Sequence, residues 1–287
     1  MRRYLRLLPL LLSLLALPAL AAGPVWKVSQ GERTLYVAGT IHILAEADWP
    51  LPKAFERAYQ ASEMVVLETD LGQLQQPQVQ LQMMQQLLYP AGETLRQYLS
   101  ESLYAELTAF ALERQLAPDT FLTLKPAGVM LTLLTSEFKR LGIQTAGPDI
   151  YFYKRAQSQD KSTAGLEPVT AHISYIAQLG VGHEEAFIRQ SLSDLKETEG
   201  LMRSIVLAWK AGDVDLLEHA VIRDMQQAYP EVYQSLLVNR NRVWLPKIEA
   251  YLATDPIEMV LVGAAHLVGP DGLLRALESA GYQLEQL

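Results

Sequence analysis

The 287-residue chain contains no cysteine, which excludes disulfide bonds, thiolate metal ligands and the acylated cysteine of a bacterial lipoprotein. It also lacks a His-Glu-x-x-His pair, a P-loop, a Gly-x-Ser-x-Gly elbow and a Gly-x-Gly-x-x-Gly turn. Any metal site must therefore be assembled from residues that lie far apart in the sequence.

Clusters of basic residues are also missing after the first few residues. The formal net charge is −8, and the lysines and arginines of the remaining chain form no patch. Nucleic acids and anionic lipids attract proteins through such patches. We therefore expect no nucleic-acid partner and no anionic lipid surface as a partner, whereas cations and basic peptides remain compatible with the charge.

The first residues have the pattern of a secretory signal. Three arginines precede an apolar run over residues 7–20, and Ala-Leu-Ala at residues 19–21 is a cleavage motif. The apolar run is too short and too rich in proline for a transmembrane helix. We expect a signal peptide over residues 1–21 and a single mature domain over residues 22–287. The mature protein would be periplasmic or secreted, without stable membrane insertion.

Hydrophobic periodicity predicts strands near both ends of the chain and helices between them. Short apolar runs favour buried strands, whereas apolar residues at three- and four-residue spacing indicate helices. The predicted strands cover residues 25–28, 34–38, 64–67, 162–166, 257–262 and 282–287. The predicted helical middle covers residues 73–141 and 170–252. These elements predict an α/β (α+β) fold, in which a central mixed sheet takes strands from both chain ends and carries a large helical insertion or cap.

Two Gly-x-x-His motifs are the clearest candidates for chemistry. Gly39-Thr40-Ile41-His42 and Gly263-Ala264-Ala265-His266 each follow an apolar, β-branched run. Such placement puts an imidazole at the carboxyl end of a strand, where open α/β sheets build their sites. Neutral imidazole is the commonest metal ligand and the usual general base near pH 7. The sequence therefore predicts that His42 and His266 meet in one pocket.

Two glutamates also follow predicted strands directly. Glu68 comes after an apolar run. It is a substitute for a helix N-cap, the partner of a buried arginine, or a ligand or catalytic group, and Glu167 repeats this placement. Arg240 lies in Asn239-Arg240-Asn241-Arg242, where two arginines around an asparagine indicate either a clamp for a carboxylate or phosphate or a plain surface or ion-pair role.

The other candidates fit structural roles. Asp149 follows Gly147-Pro148, and helix capping explains it better than function. His172, His183 and His219 have no ligand-like spacing, so we expect no chemical role for them.

The order of these motifs resembles the TraB/PrgY/GumN family, which includes the animal Tiki metalloproteases. The resemblance extends over essentially the whole mature chain, and it rests on the motifs around His42 and His266, on Val66-Leu67-Glu68, on Gly165-Leu166-Glu167 and on Asn239-Arg240-Asn241 with Trp244. It implies a fold similar to that of erythromycin esterases and of a haem-binding, ChaN-like lipoprotein. It also implies that His42 and His266 are metal ligands and that Glu68 is a ligand or general base.

The residues and the resemblance together predict a secreted or periplasmic metal-dependent hydrolase that acts on a peptide or amide bond. His42, His266 and Glu68 would hold a divalent transition metal, and histidine and carboxylate ligands suit Mn, Co, Fe or Zn. Glu167 or Glu68 would transfer the proton, and Arg240 would hold the substrate or the developing anion. The partner would be a peptide or small-molecule substrate.

Two alternatives stay open at this stage. The same pocket would serve a non-catalytic periplasmic protein that binds a peptide, haem or a metal without turnover. It would also serve a metal-free esterase in which His42 is the general base.

Overall fold

A computed structural model describes residues 23–287, and the predicted signal peptide lies outside them. The strands of this part of the chain are β1 (Val25–Gln30), β2 (Arg33–Thr40), β3 (Ile43–Ala45), β4 (Met64–Thr69), β5 (Ile143–Ala146), β6 (Ser162–Glu167), β7 (Glu258–Gly263) and β8 (Gln283–Gln286). The helices are α1 (Lys53–Ala61), α2 (Leu71–Leu74), α3 (Pro77–Gln86), α4 (Glu101–Glu113), α5 (Pro126–Arg140), α6 (Pro148–Ser158), α7 (Val169–Ala177), α8 (Glu184–Ala211), α9 (Val214–Leu217), α10 (Arg223–Ala228), α11 (Pro230–Tyr233), α12 (Asn239–Leu252) and α13 (Leu273–Ser279).

The main sheet has the strand order β6-β4-β7-β2-β1-β8. The strands β6, β4, β7 and β2 run parallel to one another, whereas β1 is antiparallel to both β2 and β8. The predicted α/β fold with a mixed sheet from both chain ends is therefore confirmed. Because the four parallel strands are neighbours, their carboxyl ends meet along one edge of the sheet.

The strands predicted over residues 25–28 and 34–38 form a β-hairpin, β1 with β2. Gly31 has a φ of +64° between β1 and β2, a conformation that glycine adopts without steric cost. Val28, Leu35 and Val37 are fully buried on the two strands.

A second sheet consists of the two strands β3 and β5. The sequence did not predict it, although the first predicted helical block ended at residue 141, just before β5. These strands have only three and four residues, too few for a period-two pattern to stand out. Ile43 pairs with Ala146, so the sheet brings the start of α6 beside the loop that holds His42.

The helical middle of the chain has a core of its own. Its buried apolar residues include Leu95, Leu103, Leu107, Phe121, Leu133, Phe187 and Leu192. Helix α3 adds little to it, because none of its residues is buried, and Leu81 and Met84 are 58% and 65% exposed. The apolar spacing in α3 therefore did not mark a buried face. None of the helices that the structure describes is long and apolar enough to cross a membrane.

Candidate functional site

The carboxyl ends of the four parallel strands carry the predicted site residues. Glu167 ends β6, Glu68 is the penultimate residue of β4, and Gly263 ends β7, just before His266. His42 follows β2, whose last residue pairs with Gly263. The sheet topology thus brings together, along one edge, residues that lie more than 200 positions apart in the sequence.

His266 is buried and held by the side chain of Asn241. Its Nδ1 lies 2.7 Å from Asn241 Oδ1, while Asn241 Nδ2 donates to the carbonyls of His266 and Asp271 at 3.1 and 2.8 Å. The amide is thus oriented with its oxygen toward the imidazole, so Nδ1 is the protonated nitrogen and Nε2 carries the lone pair. Burial lowers the pKa of His266 to about 3, which keeps the ring neutral.

His42 has the corresponding arrangement, with a carboxylate in place of the amide. Its Nδ1 lies 3.1 Å from Asp149 Oδ2, and its side chain is 59% exposed. Asp149 is in the first turn of α6 and makes no capping hydrogen bond, so the capping role expected for it is wrong. Partial burial of the ring disfavours its charged form and would lower the pKa of His42. The carboxylates of Asp149 and Glu68 outweigh this effect and raise the pKa to about 9.

Glu68 lies between the two imidazoles. Its Oε1 is 4.0 Å from the Nε2 atoms of both His42 and His266, and it accepts a hydrogen bond from the backbone amide of Gly263 at 2.7 Å. Burial would raise the pKa of Glu68, but the two imidazoles, the Arg240 guanidinium and this amide together hold it below its usual range. Glu68 is therefore an ionised carboxylate with one oxygen turned toward both histidines.

Arg240 neutralises both glutamates of the site. It donates from Nη2 to Glu68 Oε2 at 2.6 Å and to Glu167 Oε1 at 2.8 Å, and from Nε to Glu167 Oε2 at 3.2 Å. Its Nη1 lies 3.2 Å from Nε2 of His266. Arg242 lies exposed on another face of α12, so the two arginines do not form one clamp.

Glu167 has more partners than its placement in the sequence indicated. Besides Arg240, it accepts from Trp244 Nε1 at 3.0 Å, and its Oε1 lies 2.7 Å from Nδ1 of His172. Burial raises the pKa of Glu167, but the hydrogen bonds and charges of His172 and Arg240 outweigh burial and lower it. His172 thus belongs to the site, contrary to the expectation that it has no role there. One ring nitrogen of His172 forms a hydrogen bond with Glu167. No motif in the sequence indicates that these two residues interact.

The donor atoms of His42, Glu68 and His266 suit a divalent transition metal, since they are two imidazole nitrogens and one carboxylate oxygen. As the side chains stand, residues 23–287 contain no ready-made cluster of three or more His, Asp or Glu side chains for an ion. Two ligand atoms on one tetrahedral zinc ion are roughly 3.4 Å apart, so each 4.0 Å separation would have to close by roughly 0.6 Å.

Gly263 leaves the space that such closure needs. A β-carbon at this position would lie 3.3 Å from Glu68 Oε1 and 3.7 Å from both His42 Nε2 and His266 Cδ2. Because Gly263 has no side chain, the space that Glu68, His42 and His266 all face stays empty. With a small movement of the histidines and of Arg240, these residues fit a metal ion.

The sequence model of the TraB/PrgY/gumN family matches residues 24–286. The chain is 23% identical over 248 residues to proteins named "Uncharacterized protein YbaP" from Escherichia coli (strain K12) and Shigella flexneri, an alignment that covers 86% of this chain and 89% of each relative. No solved structure matches the chain, so the likeness to erythromycin esterases stays a prediction. The chain therefore belongs to the TraB/PrgY/gumN family.

Proposed function

We propose that this protein is a metal-dependent hydrolase of a peptide or amide bond and that His42, Glu68 and His266 hold the metal. One observation carries the proposal: two imidazoles, each anchored through Nδ1, have their Nε2 atoms at 4.0 Å from the same carboxylate oxygen. Metal-binding histidines are characteristically oriented by an oxygen acceptor on the nitrogen that does not bind the metal. Asp149 and Asn241 supply those acceptors.

A divalent ion at this place would polarise a substrate carbonyl and lower the pKa of a water molecule. The protein's own groups then have distinct tasks. Arg240 holds Glu68 by Oε2, which leaves Oε1 as the oxygen that faces the histidines. Glu167 holds Arg240 in turn, and with its partners Trp244 and His172 it serves mainly to position that guanidinium.

A metal-free hydrolase is a second candidate, and the contacts of Arg240 favour it. Arg240 Nη1 already lies 3.2 Å from His266 Nε2, so that nitrogen has a partner without a metal. His42, by contrast, is exposed and is oriented by Asp149, and its Nε2 makes no hydrogen bond within residues 23–287. An imidazole oriented in this way acts as a general base on a water molecule once it is neutral, and its raised pKa of about 9 places that activity at alkaline pH.

The place of action and the partners are part of the same proposal. The secretory pattern of residues 1–21 and the net charge of −8 support action in the periplasm or outside the cell on a peptide or small molecule, without nucleic acid.

The test compares the wild-type protein with His42→Ala, His266→Ala and, as a matched control, His219→Ala, which changes an exposed histidine outside the site. Each protein is incubated separately with Mn, Co, Fe or Zn, its bound metal is counted by mass spectrometry, and hydrolysis of a peptide mixture is followed with and without a chelator.

We expect about one metal per chain in the wild type and the control and none in the two site variants. Product that survives the chelator but is lost in His42→Ala would replace this mechanism with the metal-free one. A ligand retained in stoichiometric amount with no product would instead show a binding protein.

A further inference from the structure

A groove in the helical part of the protein has the size of a ligand site. It lies between α5, α8 and the segment from α10 to α11, and its volume is about 620 Å³. Protein interiors contain few voids larger than a water molecule, whereas small-molecule sites have volumes of about 300–1,000 Å³. The groove is therefore large enough for a molecule and is distinct from the strand-end site.

The lining of the groove is mainly apolar and adaptable. Met130, Met202 and Met225 lie on three different helices around it, and Phe187 and Leu236 also line it. Methionine side chains are flexible and polarisable, so they pack against hydrocarbon groups of varied shape. Such a lining favours an aliphatic chain over a rigid polar molecule.

The charge of the lining has one sign. Asp194 and Asp224 line the groove, and no lysine, arginine or histidine of residues 23–287 does so. Asp194 accepts hydrogen bonds from Tyr229 and Gln190 at 2.8 and 2.9 Å, which fix its carboxylate at the groove. Two carboxylates without a cationic neighbour in the lining repel an anionic ligand and attract a cationic one.

Two π-helical stretches border the groove. Glu218–Ile222 precedes α10 and Gln234–Val238 precedes α12, and Ala220, Val221 and Leu236 from these stretches line the groove. π-Helical turns are rare and occur frequently at functional sites. Their presence on the same wall is an observation independent of the groove's size and charge.

We propose that this groove binds an amphiphile with a hydrocarbon chain and a cationic head. The chain lies against the methionines and Phe187, and the head lies beside Asp194 and Asp224. Tyr229, which also lines the groove, offers the head an aromatic face. This binding does not depend on the hydrolase activity proposed for the strand-end site.

Calorimetry with decylammonium, decanol and decanoate, each below its micellar concentration, tests the proposal on the purified protein. We expect decylammonium to bind about tenfold more tightly than decanoate, which corresponds to about 1.4 kcal/mol, with decanol between them. The double variant Asp194→Asn/Asp224→Asn should remove the difference between amine and carboxylate but keep the affinity for decanol.

Ala220→Phe should place a ring in the groove and weaken the binding of all three probes. Ala186→Phe places the same ring on an exposed position of α8 outside the groove and should leave binding unchanged. Three results would overturn the proposal: no binding of any probe, equal affinity for amine and carboxylate in the wild type, or unchanged binding in a folded Ala220→Phe variant.

Discussion

Gly147 and His42 are in direct backbone contact. The amide of Gly147 donates to the carbonyl of His42 at 2.8 Å, and a β-carbon on residue 147 would stand 1.9 Å from the carbonyl oxygen of Ile41. The φ of Gly147 is −73°, which any residue adopts, so the glycine is required by this close approach alone. Because Gly147 precedes the helix that carries Asp149, one contact positions both members of the His42–Asp149 pair.

Gly147→Ala should therefore displace His42 from Asp149. We expect loss of metal binding at the site and a free energy of unfolding lower by about 1–3 kcal/mol, the usual cost of overpacking. Mass spectrometry and denaturant unfolding measure the two effects. Gly200→Ala is the control, since no atom lies within 4 Å of a β-carbon there and alanine is favoured in the helix. Unchanged metal binding in Gly147→Ala would show that this contact does not position His42.

Gly263→Ala should separate ligand binding from stability. The residue has φ −52° and ψ 136°, which alanine adopts without strain, but its methyl group would occupy the space between Glu68, His42 and His266. We expect metal affinity to fall by at least about tenfold, or 1.4 kcal/mol, with a melting temperature close to that of the wild type. Titration of the apoprotein with Zn or Mn measures the affinity. If the variant binds as tightly as the wild type, the metal does not lie beside Gly263.

Most of the main sheet was predictable because its central strands β2, β4 and β7 contain short apolar runs. The β3–β5 sheet was not, since its strands are too short to show a period. The apolar spacing within residues 73–141 predicted helices correctly. It gave no information on whether a given face is covered, and Leu81 and Met84 of α3 are in fact exposed.

At the site, the two Gly-x-x-His motifs and Glu68 could be found because each follows a strand. Asp149 and Asn241 could not be assigned, because their partners are set by packing between elements far apart in the chain. His172 lies only five residues from Glu167, but the contact depends on how β6 turns into α7, which the sequence pattern does not specify. The only signal for Asp149 was its place after Gly147-Pro148, which also suits an ordinary helix start.

Arg240→Met should destabilise the protein strongly. The substitution leaves Glu68 and Glu167, which Arg240 now bridges, as two buried carboxylates without their cation. Breaking a buried ion pair from one side costs about 3–5 kcal/mol. We expect the free energy of unfolding, measured in urea, to fall by that amount. The double variant Arg240→Met/Glu167→Gln should recover part of it, because it removes one of the two unpaired buried charges. Arg242→Met, on the exposed face of the same helix, should change stability little, and an equal loss there would refute the argument.

Glu258→Met should be more stable than the wild type at neutral pH, and the difference in stability should disappear in acid. Glu258 is 1% exposed, its Oε2 has no hydrogen-bond partner among residues 23–287, and burial raises its pKa. The folded state therefore holds this proton more tightly than the unfolded state. The pKa of a glutamate in the unfolded chain is about 4.3, and that of Glu258 in the folded protein is higher. The free energy of unfolding of the wild type therefore falls as the pH rises from the first value through the second, and it stays low at higher pH.

Methionine removes this titration and the unpartnered oxygen, whose burial costs about 1–3 kcal/mol. Thr254, which donates to Glu258, keeps its bond to the carbonyl of Tyr251. We expect the melting temperature of Glu258→Met to exceed that of the wild type at pH 7–8 and the two to converge below about pH 4. Glu278→Met, an exposed glutamate on α13, serves as the control. A constant difference across the whole pH range would mean that the gain comes from apolar packing, and that Glu258 does not change its charge state on folding.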